Sequence, residues 1–364
     1  MKIMEETKMN MFKRIIALVL ICIMALSFTA CHKKNEIAVK IGDVEFTSAY
    51  YSCALVMCDS QARSKVNENL TEIEKTTSNI DYYAKKVDGK KFVDWVEDET
   101  ISQLTDIAAY KLLCKENKIK LDNEKVKEAK SNAEYLWESG YASYLEINGV
   151  SLNTFTNYQL DLLYADVYFE SIYGKGGSKE IAEDKVKTEL YDKFVIANLL
   201  TVNFSQETEA QKSEVKTKLD TFAEELKTGK KTFKQVYNEY YGIEDTAEEE
   251  HDHEEGKAPL DEYATIVGHK DSNYANDRFD EIKAMANKEV KIIALDNSTG
   301  YILAVKGDIT ADPYYLENLD LQARLLLVKD EFEKEIDAYA KKLNVDINKY
   351  ALSQFKVKKI NFPE

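Results

Sequence analysis

Apolar and polar positions recur along this chain with two periods, and the switches between them mark its elements. Residues 15–30, IIALVLICIMALSFTA, run without a charge and stop short of the roughly 20 apolar residues that span a bilayer. The stretch IAVKIGDVEFTSAYY at 37–51 alternates on either side of Gly42 and Asp43. It predicts a hairpin, with Thr47 or Ser48 capping a helix that continues to about Asn69. A polar loop containing DGKK follows. Ile101, Leu104, Ala108 and Leu112 recur at helical spacing and predict a helix over 92–116. Asp122 caps a further helix through Trp137, and another covers 152–173 before the stop signal GKGG at 174–177.

From Leu190 the pattern changes. FVIANLLTVNF at 194–204 is rich in β-branched and aromatic residues and reads as a strand. Period two puts Phe194, Ile196, Asn198, Leu200, Val202 and Phe204 on one of its faces. Val215, Leu219, Phe222 and Leu226 stripe the next helix, and Phe233, Val236, Tyr237 and Tyr240 a shorter one. An acidic, His-containing loop leads to a third helix in NDRFDEIKAMA, and VKIIAL and YILAVKG pair as a hairpin. This β-α-α-α-β-β unit covers roughly 193–307. Pro313 starts a long helix that runs to about Leu343, and FKVKKINF closes the chain as a strand. The expected fold is α+β: a mainly helical, discontinuous domain, read as 31–188 and 309–364, with the mixed unit of 189–308 inserted in it.

Charge and cysteines narrow the class. The net charge is −16, from 49 basic and 65 acidic residues. Such a balance argues against nucleic acid, whose phosphates demand a basic surface. Lys2, Lys8, Lys13 and Arg14 precede the apolar run, which predicts a signal peptide over 1–30. Phe28-Thr29-Ala30-Cys31 resembles a bacterial lipobox, in which the cysteine takes a lipid and becomes the new N-terminus; Leu is usual where Phe28 stands. A plain signal peptide or a single membrane anchor are the other readings, and all three export the rest of the chain. Cys53, Cys58 and Cys114 are odd in number and lack ligand spacing, so buried free thiols are expected rather than disulfides.

The order of elements resembles the parvulin family of peptidyl-prolyl isomerases, in the form of lipid-anchored or periplasmic foldases that carry a helical chaperone domain of trigger-factor type. IAVKIGDVEFTSAYY is similar to the opening of that chaperone domain, ENKIKLDNEKVKEA to its helix-break-helix and YAKKLNVDINKYAL to its closing helix. ANLLTV, TFKQVYNEYY, RFDEIKAMANKEV and TGYILAVKG follow the parvulin order. The resemblance implies a cleft at Asn198, Phe279, Tyr301 and Ile302. It also implies histidines where this chain has Asn198 and Ile302; the middle Cys or Asp has only Asp245 as a loose counterpart. Phe279 keeps an apolar pocket position.

Rotation about a peptide bond faces a barrier of ~18–20 kcal/mol, which an enzyme lowers by holding the twisted amide better than the planar one. An apolar pocket assists by excluding water, and no nucleophile is required. Without the histidines, weak isomerase activity or none is expected. Asn198, on an apolar face, is expected to bond a neighbouring backbone group or to keep a peptide contact. His251 and His253 in EEEHDHEEGK are weak metal candidates in what reads as a solvated acidic loop; His269 is isolated. GKGG lacks the spacing of a phosphate loop. Tyr50, Tyr51, Tyr82 and Tyr83 are core residues or contacts for unfolded chains. The reading is an anchored extracytoplasmic foldase or holdase for exported, unfolded polypeptides, with no cofactor. The alternatives are an active prolyl isomerase and, further off, a transporter's solute-binding lipoprotein, which would show two α/β lobes.

Overall fold

In a computed structural model the described residues are 36–71, 74, 80–205, 207–244, 259, 261–296 and 299–363. The signal segment 1–30, Cys31, Asp245, His251 and His253 lie outside them. The chain divides into two compact units, Met1–Ser171 with Glu331–Glu364, and Ile172–Asp330.

The first unit starts with β1 (Ile37–Ile41) and β2 (Val44–Thr47), antiparallel with Lys40 opposite Glu45. Thr47 ends the hairpin and caps α1 (Ser48–Glu68), its hydroxyl accepting from the Tyr50 N–H at 3.2 Å. Most sides of α1 are buried: Tyr50, Tyr51, Cys53, Ala54, Leu55, Val56, Cys58 and Ala62 all lie inside. A central helix of this kind shows no apolar stripe. The short pair β3 (Lys86–Val87) and β4 (Lys90–Lys91) leads into α2 (Phe92–Glu116), which buries Leu104 and Ala108 against α1. Asp122 caps α3 (Asn123–Leu136), accepting from the Glu124 and Lys125 N–H groups at 2.8 and 3.2 Å. A π-helical turn at Trp137–Tyr141 follows, then α4 (Ala142–Leu145) and α5 (Leu152–Tyr173). Cys53, Cys58 and Cys114 are buried and unpaired. Burial pushes the Cys58 thiol up to about 12 and Cys114 to about 11, so these thiols are inert.

The second unit contains α6 (Glu183–Lys193), β5 (Phe194–Asn203), α7 (Glu209–Lys227), α8 (Phe233–Tyr241), β6 (Ala264–Gly268), α9 (Phe279–Lys283), β7 (Val290–Ala294) and β8 (Gly300–Lys306). The sheet is antiparallel in the order β6-β5-β8-β7. β6 is a fourth strand that the sequence pattern did not announce, so the order is β-α-α-β-α-β-β rather than β-α-α-α-β-β. The strand β5 is buried on both faces. Phe194 and Ile196 pack with Val186, Leu190 and Tyr315; Leu200 and Val202 pack with Leu219 and Phe222; on the reverse side Val195 and Ala197 pack with Phe279 and Ile282. Helix α10 (Pro313–Ala340) begins with Asp312 accepting from the Tyr314 N–H at 2.9 Å. Arg324 is buried in this unit. It holds Asp320 at 2.7 and 3.2 Å and donates to the carbonyls of Tyr173 and Ile181 at 3.0 and 2.9 Å.

The last segment returns to the first unit. There Phe332 meets Tyr110, Tyr168 and Phe169 with ring centroids 6.1, 6.2 and 5.0 Å away. β9 (Val345–Ile347) pairs antiparallel with β1, Val39 opposite Ile347, in the order β2-β1-β9. The closing strand expected over FKVKKINF is not formed. Residues 357–359 make a 3-10 turn, and the ladder lies earlier, where Val345 and Ile347 meet β1.

Candidate functional site

The register of β5 against β8 decides where the expected cleft residues lie. Asn198 stands opposite Val305 and Thr201 opposite Ile302. One face therefore carries Asn198, Leu200 and Val202 with Tyr301, Leu303 and Val305. The other carries Ala197, Leu199 and Thr201 with Ile302 and Ala304. Phe279 packs on this second face. Asn198 and Tyr301 are thus separated by the sheet from Phe279 and Ile302.

Asn198 is 7% exposed, and its Nδ2 donates to Asp261 Oδ2 at 2.8 Å. Asp261 Oδ1 in turn accepts from the Tyr263 N–H at 3.0 Å. The partner is a side chain rather than a backbone group, and the pair braces the segment entering β6. Tyr301 meets Phe204 edge-on at 5.6 Å. Neither residue faces a substrate on the Phe279 side.

On that side, Phe279 and Ile302 are 4% and 6% exposed and lie with Ile282, Met285 and Ile293. Leu199 packs against the same cluster. Besides Thr201 this face presents aliphatic groups, and α9 packs over it. One titratable ring does reach it: His269 meets Phe279 edge-on at 5.6 Å. Its position follows from Gly268, where a Cβ would come within 2.1 Å of Ser272 Oγ and 2.9 Å of the Tyr274 carbonyl. Only glycine lets that loop fold back and leave His269 at the strand end. His269 Nδ1 lies 2.9 Å from Asp271 Oδ2. Lys283 is held by Asp192 at 2.6 Å, and Lys306 Nζ donates to the carbonyls of Lys283 and Met285, each at 2.6 Å. His269 stands isolated in the sequence, and its setting depends on the pairing of ATIVG with β5, a distant partner.

A second candidate lies in the first unit. A hollow of about 610 Å³ opens between α1 and the segment around the π-helical turn. Gly140, at φ 144°, breaks the helix there, a backbone that residues with a Cβ avoid. π-type turns of this kind accompany functional sites. The break carries Tyr141 and Tyr144 to the rim. Tyr141 stacks on Phe155 at 5.5 Å, and Tyr144, 46% exposed, meets Phe362, 40% exposed, edge-on at 6.4 Å. At the floor sits Asp59, 1% exposed. Its Oδ2 accepts from Arg63 Nε at 2.6 Å, and its Oδ1 has no partner. Burial raises this carboxyl above the usual range, against the opposing pull of Arg63. The Arg63 guanidinium lies 4.1 Å from the Phe362 ring and 4.4 Å from Tyr82. A smaller hollow of about 310 Å³ is lined by Ser52, Leu55, Phe355 and Asn361. Of the tyrosines singled out by sequence, Tyr50 and Tyr51 are core, Tyr50 donating to Asp161 at 2.9 Å.

No group of three or more His, Cys, Asp or Glu side chains among the described residues could hold a metal ion. Among the described residues no helix is long and apolar enough to cross a membrane.

These elements define an α+β chain, mostly helical, with small antiparallel sheets. No family model matches the sequence, and no curated protein matches it. Among solved structures the chain is similar to the foldase protein PrsA from Streptococcus pneumoniae str. Canada MDR_19A, at 13% identity over 73% of this chain and 92% of that one, with a TM-score of 0.37. It is similar to the foldase protein PrsA from Lactococcus lactis at 13% identity, over 72% and 90%, with a TM-score of 0.36. For PrsA from Bacillus subtilis the identity is 13%, the coverage 75% and 97%, and the TM-score 0.28.

Proposed function

We propose that this chain is an extracytoplasmic foldase or holdase, anchored to the membrane through a lipid on Cys31, that binds exported, unfolded polypeptides. Its sheet unit is a non-catalytic counterpart of a prolyl isomerase. The observation that carries this reading is the hollow of the first unit, with Tyr141, Tyr144 and Phe362 exposed at its rim. Aromatic side chains offer large apolar area with a polar tip to passing chains. Burying one apolar side chain contributes about 1.5–3 kcal/mol, part of which ordering consumes. One such contact holds loosely and releases, as a holdase requires.

The sheet unit argues against turnover. Its Phe279 face is packed as core; the polar side chains at its edge, His269, Lys283 and Lys306, are engaged by Asp271, Asp192 and main-chain carbonyls, and Asn198 points away from it. The anchor rests on the order Phe28-Thr29-Ala30-Cys31 after an uncharged apolar run. Removing residues 1–30 takes away four basic and two acidic residues and moves the net charge from −16 to −18, which keeps the body dispersed beside an anionic membrane.

Light scattering from reduced, unfolded lysozyme tests the reading: an equimolar amount of the chain slows aggregation. Scattering that rises as fast with the chain as without it overturns the proposal. In a proline-switch peptide assay the chain leaves the isomerisation rate unchanged. Acceleration that Phe279→Ala abolishes would establish the enzyme instead.

A further inference from the structure

The polar atom at the floor of the hollow specifies its occupant. Asp59 is the buried acid of α1, one oxygen held by Arg63 and the other unpartnered. A buried acceptor left without a donor costs about 1–3 kcal/mol, more when charged. What arrives at Oδ1 must therefore bring a donor. The charge of that donor is also constrained. Arg63 already neutralises Asp59 and lies over the Phe362 ring at 4.1 Å, so a second full cation would meet a like charge. A neutral N–H fits. Three serines, Ser60, Ser139 and Ser143, also line the hollow, and the larger part of its wall is apolar, from Val56, Met57, Tyr141, Tyr144 and Phe362. A volume of about 610 Å³ falls within the ~300–1,000 Å³ that takes a ligand the size of a short peptide segment.

Resting on the polypeptide-binding reading above, we infer that Asp59 Oδ1 accepts a main-chain N–H of the bound polypeptide, and that the apolar side chain beside that N–H fills the hollow between Tyr141, Tyr144 and Phe362. The hollow therefore selects an extended segment with a large apolar residue. It selects against a proline at the bonded position, which has no N–H, and against a lysine.

The test uses the whole chain and a fluorescent, capped heptapeptide, acetyl-Gly-Ser-Ala-Phe-Ala-Ser-Gly-amide, followed by anisotropy. Each backbone nitrogen is methylated in turn, and the central phenylalanine is replaced by alanine or lysine. One methylation, at or next to the phenylalanine, weakens binding tenfold or more while the others change it little. Tyr144→Ala and Phe362→Ala each weaken the parent peptide about three- to tenfold. In Asp59→Leu the parent and the sensitive methylated peptide bind equally. Should Asp59→Leu fail to fold, the methylation series on the unaltered chain and on Tyr144→Ala decides. Binding that is indifferent to every methylation, or tighter for the lysine peptide, overturns the inference. Lysozyme aggregation is followed on the same samples. Slowed aggregation with methylation-indifferent binding sinks this inference and leaves the holdase standing. Methylation-sensitive binding without slowed aggregation does the reverse.

Discussion

The molecule carries two apolar surfaces of similar chemistry and opposite fate. On the sheet of the second unit, Phe279 and Ile302 are sealed by Ile282, Met285 and Ile293 and have become core. In the hollow of the first unit, Tyr144 and Phe362 remain open and the buried acid beneath them keeps an acceptor to spare. Element order led to the first surface, but exposure and unmet hydrogen-bonding capacity mark the second. The apolar side chains of Phe279 and Ile302 have spent their surface on the core, whereas those of Tyr144 and Phe362 still have surface to bury.

The largest effect that tests this contrast comes from Phe279→Ala. If the face is core, the substitution leaves a cavity and costs about 3–5 kcal/mol, read as a fall in the denaturant midpoint with unchanged slope. Client protection at a temperature where the variant stays folded is retained. Tyr144→Ala gives the opposite pair of outcomes: stability within about 0.5 kcal/mol of the parent, protection reduced. A Phe279→Ala chain that is fully stable but loses protection would invert the assignment.

Next in size is Arg324→Ala. Arg324 and Asp59 are both buried charged groups, yet Arg324 spends its donors on Asp320 and on the carbonyls of Tyr173 and Ile181. It is structural, and truncation strands two carbonyls and a carboxylate. Breaking a buried pair costs about 3–5 kcal/mol; Asp320, 37% exposed at its side chain, stays partly hydrated, which brings the expected loss to about 2–4 kcal/mol. Peptide affinity is unaffected when both are measured in the cold. A loss of peptide binding with stability intact would show that a fully satisfied charge also serves recognition, and the contrast with Asp59 would lose its force.

Local signals made much of this fold readable. The spacing of Leu104 and Ala108 and the run from Leu152 to Tyr173 placed α2 and α5 at their observed ends, and Thr47, Asp122 and Pro313 marked starts that the structure uses. What escaped depends on distant partners. β6 is five residues whose strand character comes from pairing with β5, and β9 is three exposed residues held by β1. Asn198 and Ile302 both followed period two, but which faces coincide depends on the offset between β5 and β8, which neither strand encodes alone. The hollow was hidden more deeply: Asp59, Tyr141 and Phe362 are far apart in sequence and share no spacing. The one local hint was Gly140 within a helical pattern.

The smallest effect separates acids that serve a ligand from acids that merely tolerate burial. Asp106, half-buried on α2, has its carboxyl pushed up to about 6 by desolvation and then by the charges of Asp337 and Glu99, and Tyr110 lies in the same field. Because its folded value lies above the unfolded 3.8, the native chain holds this proton more tightly. The stability it confers is complete below about pH 4 and is lost as the pH rises through about 6. At neutral pH the ionised side chain is a burden. A shift of this size has a ceiling of about 3 kcal/mol, and partial solvent access lowers the working value to about 1–2 kcal/mol. Asp106→Asn is therefore more stable than the parent at pH 7.5, by that amount, and no more stable at pH 4. Denaturation curves at the two pH values measure this directly. The same substitution leaves peptide affinity unchanged, because Asp106 has no part in the hollow, whereas Asp59→Leu removes the methylation penalty. An advantage for Asp106→Asn that is equal at both pH values would mean that the carboxylate is not electrostatically strained in the folded chain, and burial alone would no longer distinguish its acid from Asp59.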